Sequence, residues 1–234
     1  MIYRMKGAVA LQVIMLGPLM LKYSLLTIII AVAVGYLATL IRTRSLDAVI
    51  RKAVLDDLMT VLLIGILVWK FSPLIFDFKS VIRSPLSLLY FSGGMSGTIL
   101  AIWIGVLILA YKIMRHHKPW ALYANTALTW LISGYGCWSL LQAFLEDGGW
   151  ESIGTAAAAG AVVAYQFRHR GQMYSAYHAN VTVMWTAIAL FAVTLLGGPV
   201  DEVWLGFGGM QLFLLIVLML SLMNKVYLEK RKPL

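Results

Sequence analysis

The densest run of side chains able to do chemistry lies between residues 121 and 145. Asn125, Thr129, Ser133 and Cys137 recur every fourth residue. That spacing keeps them near one face of a helix. Gly134, Tyr135, Gly136, Ser139 and Gln142 extend the small and polar surface toward the far end of the run. Two readings fit. The stripe is either hydrogen-bonding glue between helices or the wall of a wet groove that accepts a lipid headgroup. A second candidate is the turn Ser92-Gly93-Gly94-Met95-Ser96-Gly97-Thr98. Gly93, Gly94, Ser96 and Thr98 give it a pliable backbone whose N–H groups could meet an anion, as helix N-termini do. A plain passage from loop to helix fits equally well. Lys70 lies within an apolar run and either snorkels to the interface or pairs with phosphate. Arg83 and Lys79 are further cations on the same side of the chain.

Other chemistry is scarce. His178 is the one histidine inside an apolar run, and it reads as a structural, hydrogen-bonded side chain; His116, His117 and His169 lie in basic loops. No two histidines show metal-ligand spacing with a carboxylate nearby. A nucleophile elbow, a phosphate-binding P-loop and a dinucleotide fingerprint are all lacking, so neither a metal nor a cofactor is expected. Cys137 is the single cysteine. It excludes an internal disulfide and reads as inert packing.

The elements that must position these residues are apolar. Of 234 residues, 61% are hydrophobic and 12% charged, against roughly 25% charged in a soluble domain. One core cannot hide that much apolar surface. The sequence predicts an all-α, polytopic membrane bundle of about seven spans, each near the ~20 residues a bilayer needs. They fall at Tyr23–Ile41, Leu58–Phe76, Gly94–Ile113, Ala121–Leu145, Ser152–Phe167, Tyr174–Leu196 and Val203–Met223. The fifth is short and rich in Ala and Gly, which suits tight packing between neighbours. Residues 1–18 read as an interfacial segment and 224–234 as a basic tail, within one domain over 1–234.

Charge gives the bundle a sense. Arg42, Arg44, Arg51 and Lys52 fill the first loop, Lys112, Arg115 and Lys118 the third, and Arg168 and Arg170 the fifth. Lys225, Lys230, Arg231 and Lys232 fill the tail. The alternate loops hold Asp77, Glu146, Asp147, Glu151, Asp201 and Glu202. The positive-inside rule then predicts an outer N-terminus and a cytoplasmic C-terminus; Arg4 and Lys6 run against it. The net charge of +9 therefore orients the chain and is not a nucleic-acid footprint. Trp69, Trp103, Trp120, Trp138, Trp150 and Trp204 lie mostly near span ends, as an interfacial belt does. No carboxylate falls inside a predicted span, which ranks a transporter last.

The order of these pieces resembles bacterial prolipoprotein diacylglyceryl transferase over nearly the whole chain. Ser84-Pro85-Leu86 through Gly93-Gly94-Met95-Ser96 looks like the family's approach to Gly-Gly-Met-Ser-Phe-His-Gly-Gly. Gly134-Tyr135-Gly136 resembles the glycines before its Gly-Arg-x-Gly-Asn signature. Trp150-Glu151 is similar to its Tyr-Glu, and Gly209-Met210-Gln211 to its Met-Gly-Gln. The resemblance implies a seven-span protein of the bacterial cytoplasmic membrane, N-terminus out, whose ligand is an anionic, phosphatidylglycerol-like phospholipid. It adds Glu151 and Gln211 to the candidate lipid-binding residues Lys70, Arg83, Gly93, Gly94, Ser96, Thr98, Ser133, Gly136 and Gln142. Yet the family histidine corresponds to about Thr98, the signature arginine to about Cys137, and the sixth-span arginine to the neighbourhood of Trp185. Thiol transfer needs a base and cations for the leaving phosphate, and these positions supply neither. The expectation is a transferase-like protein of lipoprotein or phospholipid handling with weak or no transferase activity. Its partners would be membrane phospholipid and a membrane or lipoprotein protein. The alternative is a non-catalytic accessory or assembly subunit.

Overall fold

Hydrocarbon offers a backbone no hydrogen-bond partner but itself, so apolar runs of this length become helices. The computed structural model describes residues 13–16, 19–78, 93–145, 149–197, 202–204 and 206–230. Its long helices are α1 (Tyr23–Arg42), α2 (Ala48–Phe71), α3 (Gly94–Arg115), α4 (Trp120–Leu145), α5 (Gly149–Arg168), α6 (Ala176–Leu196) and α7 (Gly209–Lys230). A single helical turn, Pro73–Phe76, follows α2. The fold is all-α apart from two small antiparallel ribbons. Strands β1 (Val13–Leu16) and β2 (Leu19–Lys22) pair before α1, and β3 (Glu202–Trp204) pairs with β4 (Phe207–Gly208) before α7. The first ribbon occupies the end of the expected interfacial segment; residues 1–12 lie outside the described residues.

Among the described residues, five helical stretches are long and apolar enough to cross a membrane: Leu26–Ser45, Ala48–Phe76, Gly94–Arg115, Ala176–Leu196 and Gly209–Lys230. Helices α4 and α5 match them in length but carry more polar and small residues. Large apolar side chains are exposed along α2 (Leu63, Ile66, Leu67), α3 (Ile102, Trp103, Val106) and α7 (Phe213, Ile216, Leu220). Polar side chains are buried about as often as apolar ones, including Thr27, Thr39, Arg42, Asp57, Asn125, Thr129, Gln166, His178, Asn180, Thr182 and Gln211. This polarity is the reverse of a water-soluble bundle.

The chain divides into two compact units, residues 43–127 and residues 1–42 with 128–234. In the first, α2 packs along α3. Helix α2 begins at Ala48, well before the expected Leu58. Asp47 caps it, its carboxylate accepting the Val49 N–H at 2.8 Å. Asp57 therefore stands inside the helix, and it is buried. Its carboxylate accepts from Lys112 Nζ of α3 at 2.9 Å, from Lys118 Nζ, and from the Tyr123 hydroxyl at 2.7 Å. A charged group inside a membrane protein pairs in this way, so an acid absent from the predicted span ties three elements together.

In the second unit α6 is central, with α5 and α7 packed along it. Asn180 Nδ2 donates to the Ser221 carbonyl at 2.8 Å, and Asn224 Nδ2 donates to Asn180 Oδ1 at 3.0 Å. These bonds stitch α6 to α7 where packing alone gives little specificity. Helix α1 meets α4 at Gly35, where a Cβ would lie 2.4 Å from the Trp130 ring and 2.7 Å from its carbonyl. The Trp130 indole N–H donates to the Val32 carbonyl at 3.2 Å. Ile132 of α4 packs with Ala159 and Val162 of α5.

Removing the Asp57 carboxylate strands two ammonium groups and a phenol. Breaking a buried ion pair costs ~3–5 kcal/mol, and partial exposure of both lysines places Asp57→Ala nearer ~2 kcal/mol. The expected outcome is a clear drop in detergent melting temperature, largely restored in the triple variant with Lys112→Met and Lys118→Met. An unchanged melting temperature in Asp57→Ala would show the node to be idle.

Candidate functional site

The candidate residues fall into both units, and each group has its own geometry. In residues 43–127 the glycine turn is a packing device. A Cβ on Gly93 would lie 2.1 Å from the Trp69 carbonyl and 2.4 Å from Ser72 Oγ; one on Gly97 would lie 2.1 Å from Ser72 Oγ. Only bare backbone lets the head of α3 rest on the tail of α2. Ser72 Oγ donates to the Trp69 carbonyl at 2.9 Å within the α2 tail and reaches the Gly93 carbonyl across the contact at 3.5 Å. Gly94 has φ +56 and open space around its Cα. Ser96 and Thr98 are exposed, and the Thr98 hydroxyl donates to the Gly94 carbonyl at 2.9 Å. Lys70 is in the last turn of α2, beside Trp69. Arg83 lies outside the described residues.

In the other unit, the Ser133 hydroxyl donates to the Thr129 carbonyl at 2.5 Å within α4. Gly136 admits Ala159 of α5, whose Cβ would be 2.6 Å from a Cβ at that position. Gln142 stands two residues past Leu140, half-buried, near the end of α4. Glu151 and Gln211 come together at the end of α6. The Glu151 carboxylate lies over Gly197. Gln211 Nε2 donates to the Thr194 carbonyl at 3.1 Å while its Oε1 accepts the Gly208 N–H at 3.0 Å. Gln211 is thus a buried clamp between α6 and the β4–α7 corner.

Nearer the basic end of the same unit is a cluster that the residue pattern did not single out. Arg42, expected in a loop, is the last residue of α1 and fully buried. Its guanidinium donates to Thr129 Oγ1 of α4. Its charge reaches His178 of α6 and meets that of Arg170. His178 is buried, with its backbone N–H capped by Ser175 Oγ at 3.2 Å. Its ring stacks on Tyr165 at 5.3 Å and lies 5.6 Å from the His169 ring. The expected hydrogen bonds are missing: neither ring nitrogen has one among the described residues. Gln166 of α5 is fully buried, and its amide oxygen and nitrogen likewise have none among the described residues. Gln166 continues the Ala159–Val162 face of α5 by one turn. Because that face packs on Ile132 and Leu128, the periodicity sets Gln166 level with Thr129. The signals were a lone amide and a lone histidine in apolar runs, but Arg42 carried none that separates it from Arg44.

Chemically, the cluster offers donors: a guanidinium, an amide and an imidazole, held in low dielectric. Such a set recognises an oxyanion. Among the described residues, no group of three His, Cys, Asp or Glu side chains could hold a metal ion.

The packing account of the glycine turn has a direct test. Gly93→Ala drives a methyl into the Trp69 carbonyl, and such overpacking costs ~1–3 kcal/mol. Ser96→Ala, at an exposed site, should stay within ~0.5 kcal/mol of the parent. Melting in detergent should separate the two variants by several degrees; equal stability would remove the packing role. No protein-family model, no curated protein and no solved structure matches this chain.

Proposed function

We propose that this chain is a seven-span protein of the bacterial cytoplasmic membrane, N-terminus out and C-terminus in, that binds phospholipid on a diacylglyceryl transferase-like scaffold without transferring it. The observation that carries the reading is the inverted polarity of the helices. Apolar side chains are exposed along α2, α3 and α7, while Arg42, Gln166, His178 and Gln211 are fully buried. An intramembrane polar cluster marks a functional site by default. The two less apolar helices, α4 and α5, contribute Thr129 and Gln166 to that interior, which accounts for their composition as spans.

The family likeness enters through the motif order, and the chemistry at the matching positions argues against turnover. Thr98 stands near the family histidine, and its hydroxyl proton is engaged by the Gly94 carbonyl. Cys137 supplies no positive charge at the signature arginine. Trp185 is exposed on α6, where an interior cation would be needed. With neither a base for the thiol nor a cation for the leaving glycerol phosphate at these three positions, the barrier keeps most of its uncatalysed height.

Expression in a bacterium depleted of its own prolipoprotein diacylglyceryl transferase should give no growth, although the protein reaches the membrane. Rescue would establish an active transferase. Reporter fusions at Arg115, Arg170 and Lys230 should all report the cytoplasm, and fusions near Asp77 and Gly149 the exterior. An exterior signal at Lys230 would overturn the seven-span arrangement.

A further inference from the structure

We infer that the buried cluster of Arg42, Thr129, Gln166 and His178, together with an apolar groove beside it, holds one anionic phospholipid from the leaflet at the basic-loop end, its phosphate in the cluster and an acyl chain in the groove. The inference deepens the phospholipid-binding reading above and rests on it. It concerns a site apart from the Gly93 turn and the Glu151–Gln211 corner. All of it lies within the unit formed by residues 1–42 and 128–234.

The groove has a volume of about 260 Å³ and is partly open. Leu128 and Ile132 of α4, Ala158 and Val162 of α5, and Ala189 and Leu190 of α6 line it. Drug-like pockets run ~300–1,000 Å³, so this one suits a slender chain. On α5 and α6 the helix becomes polar just beyond the groove, at the same end, and on α4 Thr129 stands at the groove's Leu128 edge. On α5, Gln166 stands one turn past Val162. On α6 the Thr186 hydroxyl donates to the Thr182 carbonyl at 2.8 Å, and the Thr182 hydroxyl to the His178 carbonyl at 3.0 Å. That ladder runs down α6 from the groove wall to the backbone of His178.

The cluster itself is built for an occupant. Gln166 and His178 are 0% and 1% exposed, and their four polar side-chain atoms have no hydrogen-bond partner among the described residues. Each orphaned buried group forfeits the hydrogen bonds it would make in water, a penalty that an apolar residue would avoid. Arg42 also feels the like charge of the exposed Arg170, and an anion held by the cluster relieves both costs. A phosphodiester carries one full charge and several acceptor oxygens for guanidinium, amide and imidazole. Its glycerol leads directly to an acyl chain, which is what the adjoining groove accepts. A free phosphate would use the cluster and leave the groove empty.

The test is native mass spectrometry of the full-length protein in detergent, titrated with phosphatidylglycerol, with phosphatidylcholine, and with inorganic phosphate. The parent should retain one phosphatidylglycerol. Gln166→Leu and His178→Phe should each weaken that retention about tenfold, the loss of one charge-assisted hydrogen bond. Both variants remove orphaned polar atoms, so the lipid-free protein should melt no lower than the parent. Ala189→Phe, which fills the groove and leaves the donors intact, should weaken phosphatidylglycerol binding by a similar factor. Three outcomes overturn the inference. Retention of phosphatidylglycerol unchanged in all three variants would place the lipid elsewhere and leave the general reading standing. Phosphate binding that survives Ala189→Phe, with no lipid competing for it, would make the cluster a free-anion site. Absence of any retained phospholipid in the parent would remove this site and the phospholipid-binding reading together.

Discussion

A helix in hydrocarbon has satisfied its backbone before it meets a neighbour, so side-chain polarity alone decides which face turns inward. That constraint governs this molecule. Leu, Ile and Phe gain nothing by leaving lipid for protein, whereas Asn, Gln, Arg and His gain a great deal. The contacts that define the interior are accordingly polar: Asn180 with Ser221 and Asn224, Gln211 with Thr194, Arg42 with Thr129, and Asp57 with Lys112, Lys118 and Tyr123. Small residues complete the work by letting backbones approach, as Gly35 does beneath Trp130 and Gly93 against Trp69. The function proposed for the chain follows from the same logic, because a polar interior that is only partly satisfied is a place for a polar ligand.

Much of the fold was legible in the sequence because hydrophobic length is a local property. The runs expected at Tyr23–Ile41, Gly94–Ile113 and Ala121–Leu145 correspond to α1, α3 and α4 within a few residues. The all-α class follows from the same runs. Charged residues were harder to place. A basic residue beside an apolar run reads as loop, yet Arg44 falls, exposed, in the last turn of the helical stretch Leu26–Ser45, and Arg42 is buried just before it against Thr129, far along the chain. Asp57 fell just outside the predicted span, which began at Leu58, for a related reason. Its helix runs past the apolar stretch to an Asp47 cap, and the cations that neutralise it come from α3 and the loop after it.

The candidate site was legible only in part. The α4 stripe does turn inward at Thr129 and Ser133, and the small residues there do permit close packing. The glycine turn was noticed for its backbone N–H groups, yet its glycines answer to the carbonyl of Trp69 and the hydroxyl of Ser72. The cluster of Gln166 and His178 was hidden because an isolated amide in an Ala-rich run gives no pattern. Only packing against α4 reveals which way it faces.

The division of the chain into residues 43–127 and a remainder split around them bears on how the protein is made. Domains form in the order in which they leave the ribosome. Helices α2 and α3 can close on each other, with Asp57 meeting its lysines, as soon as residue 127 has emerged. Helix α1 is synthesised earlier but has to wait, since Trp130 and Thr129, the residues that receive Gly35 and Arg42, come long after it. During that interval Arg42 has no Thr129 to hold it and stays at the water-facing edge of the bilayer by snorkelling. Its burial is therefore a late event, set by α4, which is made three helices after α1.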